Sequence, residues 1–160
     1  MGVAARAWGT WSTWGAVALV SLGSTAPALA QTGIEGLWRT EKAAEVRIAP
    51  CPEGLCGTLA KIVLPPGETR ADGTPASPET LTDVHNSDPA LRDRPMLGLQ
   101  IVTLTGESKP GVFAGTVYNP QDGKTYEGFV ELKGPDTLRL NGCLLFNVVC
   151  RGEDWVRVGP

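Results

Sequence analysis

The chain has little of what most enzymes use. It carries one histidine, His85, in 160 residues. It has no G-x-S-x-G nucleophile turn, no H-E-x-x-H and no phosphate-cradling glycine loop. A Ser-His-Asp site would have to use His85. A paired-carboxylate site stays open because acids are many, yet catalysis is the least favoured class. No C-x-x-C occurs, which disfavours thiol–disulfide exchange. No basic patch stands out: 14 lysines and arginines are interspersed with 17 acids. Nucleic acid and anionic lipid surfaces are therefore poor partners. No apolar run reaches the roughly 20 residues that cross a bilayer, so no transmembrane anchor is expected after processing.

The N-terminus holds the clearest positive signal. Arg6 precedes an apolar stretch from Ala16 to Leu22, and Ala28-Leu29-Ala30 forms a small-x-small cleavage pattern. Residues 1–30 read as a secretory signal peptide cut before Gln31, leaving one domain over 31–160. No cysteine near the cut suggests lipid attachment, and no Arg-Arg pair suggests the twin-arginine route. Trp8, Trp11 and Trp14 leave with the signal, so Trp38 and Trp155 are the mature tryptophans. The expected location is the periplasm or the exterior.

Export changes the reading of the four cysteines. Cys51, Cys56, Cys143 and Cys150 form two close pairs, and an even count in an oxidising compartment points to disulfides. Three connectivities are open, and the spacing favours 51–56 with 143–150. A four-thiolate zinc site fits worse, because structural zinc prefers tighter cysteine spacings. No cofactor or metal is assigned.

The mature chain reads as all-β. Glu45-Val46-Arg47-Ile48 and Thr58-Leu59-Ala60-Lys61-Ile62 alternate with period two. Leu97, Leu99 and Ile101 share one face, as do Val112, Ala114, Thr116 and Tyr118. Tyr126, Val130 and Leu132 oppose Glu127, Glu131 and Lys133. Leu138, Leu140, Trp155 and Arg157 continue the pattern, which with Gly36 to Thr40 makes about eight strands. Asn119-Pro120-Gln121-Asp122-Gly123 and Gly134-Pro135-Asp136 are turns between consecutive strands. The expectation is an antiparallel meander of about eight strands closed into a barrel.

One stretch breaks the pattern. Pro65 to Pro95 is rich in proline, glycine and acids, and a loop this long is functional or disordered. Asp88 suits a cap for a helical turn at Pro89-Ala90-Leu91. Asp83, His85, Asn86 and Asp88 cluster potential metal ligands, but turn formation and capping explain them better. Arg92, Asp93 and Arg94 could hold an anion at a barrel mouth, against a plain solvated charge cluster.

Several motifs occur in a telling order. They are Gly36-Leu37-Trp38-Arg39-Thr40, Cys51 through Leu55-Cys56-Gly57, and Asn86-Ser87-Asp88-Pro89 with Arg94-Pro95-Met96-Leu97-Gly98. Tyr118-Asn119-Pro120, Asp122-Gly123-Lys124-Thr125-Tyr126 and Trp155-Val156-Arg157 follow. Together they resemble a bacterial exported family known as domain of unknown function 2147, over essentially the whole mature chain. That family pattern usually has threonine where Val156 stands. The resemblance implies the periplasm of a two-membrane bacterium and brings no activity.

Gly36-x-Trp38 and Arg157 also resemble the lipocalin-like barrels. That resemblance implies an early tryptophan closing one barrel end with a late arginine across its ring. Tyr118 and Tyr126 flank the Asn119–Gly123 turn and, placed across from each other and facing inward, would give a cavity hydroxyls on an aromatic wall, against plain cross-strand packing. With Trp38 and Arg157 they are the expected ligand-site residues, and the loop residues Asp83, His85, Asn86, Asp88, Arg92 and Arg94 are further candidates. The expected partner is a small apolar or amphipathic ligand; the alternative is an envelope protein docking on the long loop.

Overall fold

The computed structural model describes residues 1–2, 33–70, 72–144 and 149–160, and at 144, 149 and 150 the backbone alone. Residues 3–32, which hold the rest of the expected signal peptide and its cleavage site, therefore lie outside the described residues. Eight strands follow one another: β1 Gly36–Arg39, β2 Glu45–Cys51, β3 Gly54–Lys61, β4 Gln100–Lys109, β5 Val112–Asn119, β6 Lys124–Gly134, β7 Thr137–Leu144 and β8 Val149–Gly159. Each pairs antiparallel with the next, and β1 pairs with β8, so the sheet closes into a barrel without an edge. The expected meander is the observed one.

Period-two patterning explains the interior. Alternate residues of a strand face opposite sides, and one side here is apolar. Trp38 stands opposite Val46, Val130 opposite Leu140, and Leu138 opposite Trp155. These residues join Ile48, Leu59, Val102 and Leu104 in one buried cluster. Register shifts in the β4–β5 ladder, between Leu104 and Gly106 and between Glu107 and Lys109, add the local twist that closure requires. The barrel interior is a packed core.

Two sequence expectations need correction in detail. β4 starts at Gln100, so Leu97 precedes the strand; Gly98 turns the chain at φ 81°, and Leu99 joins the barrel core just ahead of the strand. Tyr118 and Tyr126 are not cross-strand partners. Tyr118 pairs with Thr125 and Val117 with Tyr126, so the two tyrosines start from opposite faces of the ladder.

The barrel has two unlike ends. At the end where β1 begins and β8 finishes, Ile34 is buried and its carbonyl accepts from the Trp38 indole N–H at 2.8 Å. The Arg157 guanidinium lies 4.1 Å from the Trp38 ring centroid. It donates to the carbonyls of Gly33, Glu35 and Pro135. Gly36 is required there: its φ is 136°, and a Cβ would come within 2.5 Å of Arg157 Nη1. Near this end a disulfide joins Cys51 to Cys56 across the β2–β3 hairpin. Cys143 is also disulfide-bonded, and the ladder sets its backbone opposite that of Cys150.

At the other end lies the long connection from β3 to β4. It is ordered by its own backbone bonds, from Asp83 N–H to the Arg94 carbonyl and from Met96 N–H to the Leu81 carbonyl. Pro89–Leu91 forms a 3-10 turn, and the Asp88 side chain accepts from the Ala90 N–H as the sequence suggested.

Candidate functional site

The long loop is fastened to the barrel by one carboxylate. Asp83 is 1% exposed. Tyr118 on β5 donates its hydroxyl to it at 2.7 Å, and Asn86 Nδ2 donates at 2.8 Å. Arg94 donates through Nε at 2.9 Å and Nη2 at 2.8 Å. The Arg94 guanidinium also sits over the Tyr118 ring, 5.2 Å from its centroid. Burial pushes the Asp83 carboxyl up, but these donors and the charge of Arg94 outweigh it and hold the group below the usual carboxylate range. Tyr118 is raised, by burial first and then by the adjoining carboxylate.

The β5–β6 hairpin abuts the loop. Gly123 has φ 68°, and a Cβ there would fall 1.8 Å from the His85 carbonyl oxygen. Gly123→Ala is accordingly expected to cost about 2–3 kcal/mol by combining a left-handed strain with a backbone clash. Urea unfolding checks this; unchanged stability would show that hairpin and loop are not in contact.

Between loop and hairpin opens a solvent-accessible cavity of about 1280 Å³. Asn86, Leu91 and Arg94 form the loop wall, and Tyr118, Lys124 and Tyr126 form the hairpin wall. Gln100, Glu127 and Cys143 complete the lining from β4, β6 and β7. The volume exceeds the roughly 300–1,000 Å³ of closed ligand pockets, as an open cleft does. Tyr126 donates its hydroxyl to Asp122, and that bond raises the phenol.

The sequence candidates separate into three groups. Tyr118, Tyr126, Asn86, Asp88 and Arg94 line the cavity. Asp83 lies buried behind it as the anchor, while Arg92 is turned to the Asn86 carbonyl and the His85 side chain is exposed. Trp38 and Arg157 belong to the sealed end and do not line the cavity. Asp83, His85, Asn86 and Asp88 do not converge as a ligand set: Asp83 is occupied by three donor side chains and Asp88 caps a turn. Cys51, Glu53 and Cys56 do gather, but both sulfurs are consumed in the disulfide and offer no thiolate. Sequence reasoning missed Gln100, Lys124 and Glu127. Lys124 and Glu127 flank a tyrosine it had singled out, and Gln100 opens a strand placed too early.

An eight-stranded antiparallel meander, closed and sealed at one end by an arginine over a tryptophan, is a lipocalin-like barrel. A solved structure agrees: protein HP1028 from Helicobacter pylori, described as belonging to the lipocalin family, matches with a TM-score of 0.61 at 20% identity, over 78% of this chain and 82% of that one. The chain itself belongs to the bacterial family DUF2147, described as an uncharacterized protein conserved in bacteria, whose pattern it matches over residues 36–157. No curated protein matches it. Among the described residues no helix is long and apolar enough to cross a membrane.

Proposed function

We propose that this barrel is an exported protein, periplasmic or secreted, that binds a small amphipathic molecule in the cleft between its long loop and the β5–β6 hairpin. The cleft itself carries the reading. It sets Leu91 and two tyrosine rings among eight polar or charged side chains, a mixed lining that suits a molecule with a polar head and a short apolar part better than a wholly apolar one. The packed core argues against a ligand deeper inside: Trp38, Val46, Val130, Leu138 and Trp155 are each at most 1% exposed. The Cys51–Cys56 disulfide supports an oxidising compartment.

Native mass spectrometry of the mature protein from an envelope fraction tests the proposal. The expected spectrum shows a small-molecule adduct that disappears on denaturation. Tyr126→Ala, which strips apolar wall from the cleft, is expected to lower adduct occupancy severalfold, since an aromatic contact is worth about 1 kcal/mol. A bare monomer that also takes up no N-phenylnaphthylamine would overturn the reading.

One observation favours a second reading. Val84 and Leu91 are 57% and 40% exposed on the loop, more apolar surface than turn formation needs. An envelope protein docking there would be lost from pull-downs by Val84→Asp with Leu91→Asp while the fold survives. Unchanged recovery would exclude it.

A further inference from the structure

We infer that the cleft selects amphipaths with a single anionic head, a carboxylate or phosphate monoester, held between Arg94 and Lys124. This inference rests on the binding role proposed above and adds the class of ligand. Arg94 is the main observation. Its Nε and Nη2 are spent on Asp83, and its plane is stacked on Tyr118, so the guanidinium is fixed before any ligand arrives. Beyond Asp83 the guanidinium meets only Tyr118 among the described side chains, and the Arg94 side chain, 34% exposed, forms part of the cleft wall. A preorganised, partly exposed fork is suited to an oxyanion.

Lys124 supplies the second charge from the hairpin. Its ammonium makes no ion pair among the described residues, and it lines the same cleft. Gly123, its neighbour, touches the loop backbone at His85 and Asn86, which brings the hairpin wall against the wall that carries Arg94. Leu91 and the Tyr126 ring then offer apolar surface to a tail.

The acids in the wall narrow the class. The Asp88 carboxylate is engaged with the Ala90 N–H. Glu127 has no described partner and repels a second negative group, so a one-headed anion is favoured over a two-headed one.

Calorimetric titration of the full mature chain tests this with decanoate, decyl phosphate, decanol and decyltrimethylammonium, each kept below micelle formation. The two anions are expected to bind roughly tenfold or more tightly than decanol, as a charge-assisted hydrogen bond allows. Lys124→Gln, on an exposed side chain that the fold does not need, is expected to weaken the anions roughly two- to fivefold and leave decanol unchanged. Glu127→Gln should tighten the anions by a similar factor.

Equal binding of decanol and decanoate would overturn the anionic class while leaving the cleft as a site. Binding of none of the four would overturn both. Capture by phosphatidylglycerol vesicles without binding of free decyl phosphate would assign the charges to a membrane surface and also overturn the inference.

Discussion

Asp83→Asn is expected to destabilise the barrel by about 3 kcal/mol, because the buried carboxylate accepts from three side chains and a neutral amide in its place leaves buried donors facing an N–H group. For a domain of this size, that lowers Tm by about 10 °C. The asparagine carbonyl could still accept from Tyr118, but its amide would face the Arg94 and Asn86 donors. Arg94 would lose its carboxylate partner, and the loop would keep its hold on β5 only through the Asn86 bond to the Tyr118 hydroxyl and the Arg94 stack on that ring among the described side chains. The effect depends on pH in one direction. A carboxyl held low in the folded state stabilises fully above its unfolded value of about 3.9, and that stabilisation is lost as pH falls through the folded value. Wild type should therefore lose more stability than Asp83→Asn between pH 7 and pH 3. Asp72, Glu79 and Asp122 are also held low, but they are present in both chains, so the difference isolates Asp83. Melts at the two pH values measure it. Equal Tm at pH 7, or parallel acid losses, would show that the carboxylate does not fasten the loop.

Arg157→Ala is expected to cost about 4 kcal/mol, at the other end of the barrel. It deletes a cation–π contact worth about 1–2 kcal/mol and charge-assisted bonds to three carbonyls, worth about 1.5–3 kcal/mol each before overlap and solvent replacement. Gly33, Ile34 and Glu35 would then be held mainly by the Trp38 indole bond. Arg157→Lys should recover little, since an ammonium cannot lie flat on the ring and reach carbonyls on two segments. Water reaching Trp38 would shift the emission to the red, and within residues 31–160 only Trp155 shares that signal. Gly36→Ala displaces the same guanidinium, so its cost and that of Arg157→Ala should be less than additive. Additive costs, or full rescue by lysine, would contradict this account of the seal.

The barrel was legible because period-two alternation and turn residues are local. Val46 and Ile48 alternate with Arg47, and Asn119 to Gly123 needs no distant partner to make a turn. The Trp38–Arg157 contact was legible through the likeness to lipocalin-like barrels, not through spacing, since 119 positions separate the two. The site was legible only in pieces. Tyr118, Tyr126, Asn86 and Arg94 stood out by type, but the tie from Asp83 to Tyr118 spans 35 residues and follows from how the loop folds back. Lys124 and Glu127 are ordinary polar strand residues in the sequence, and only the long-range fold sets them in one cleft with Leu91 and Arg94. The misplaced start of β4 has a simpler origin: Leu99 is already in the barrel core and bonded to Leu59 on β3, while Leu97 before the turn at Gly98 only looks like part of the same alternation.

The central claim is that the ligand site is the loop–hairpin cleft and not the barrel interior. Amide and indole shift mapping by NMR during a decanoate titration addresses it directly. The account predicts shifts at Asn86, Leu91, Arg94 and Lys124 to Glu127, with the Trp38 and Trp155 indole signals unmoved. Shifts centred on those two indoles, with the loop silent, would place the ligand in the core and contradict it.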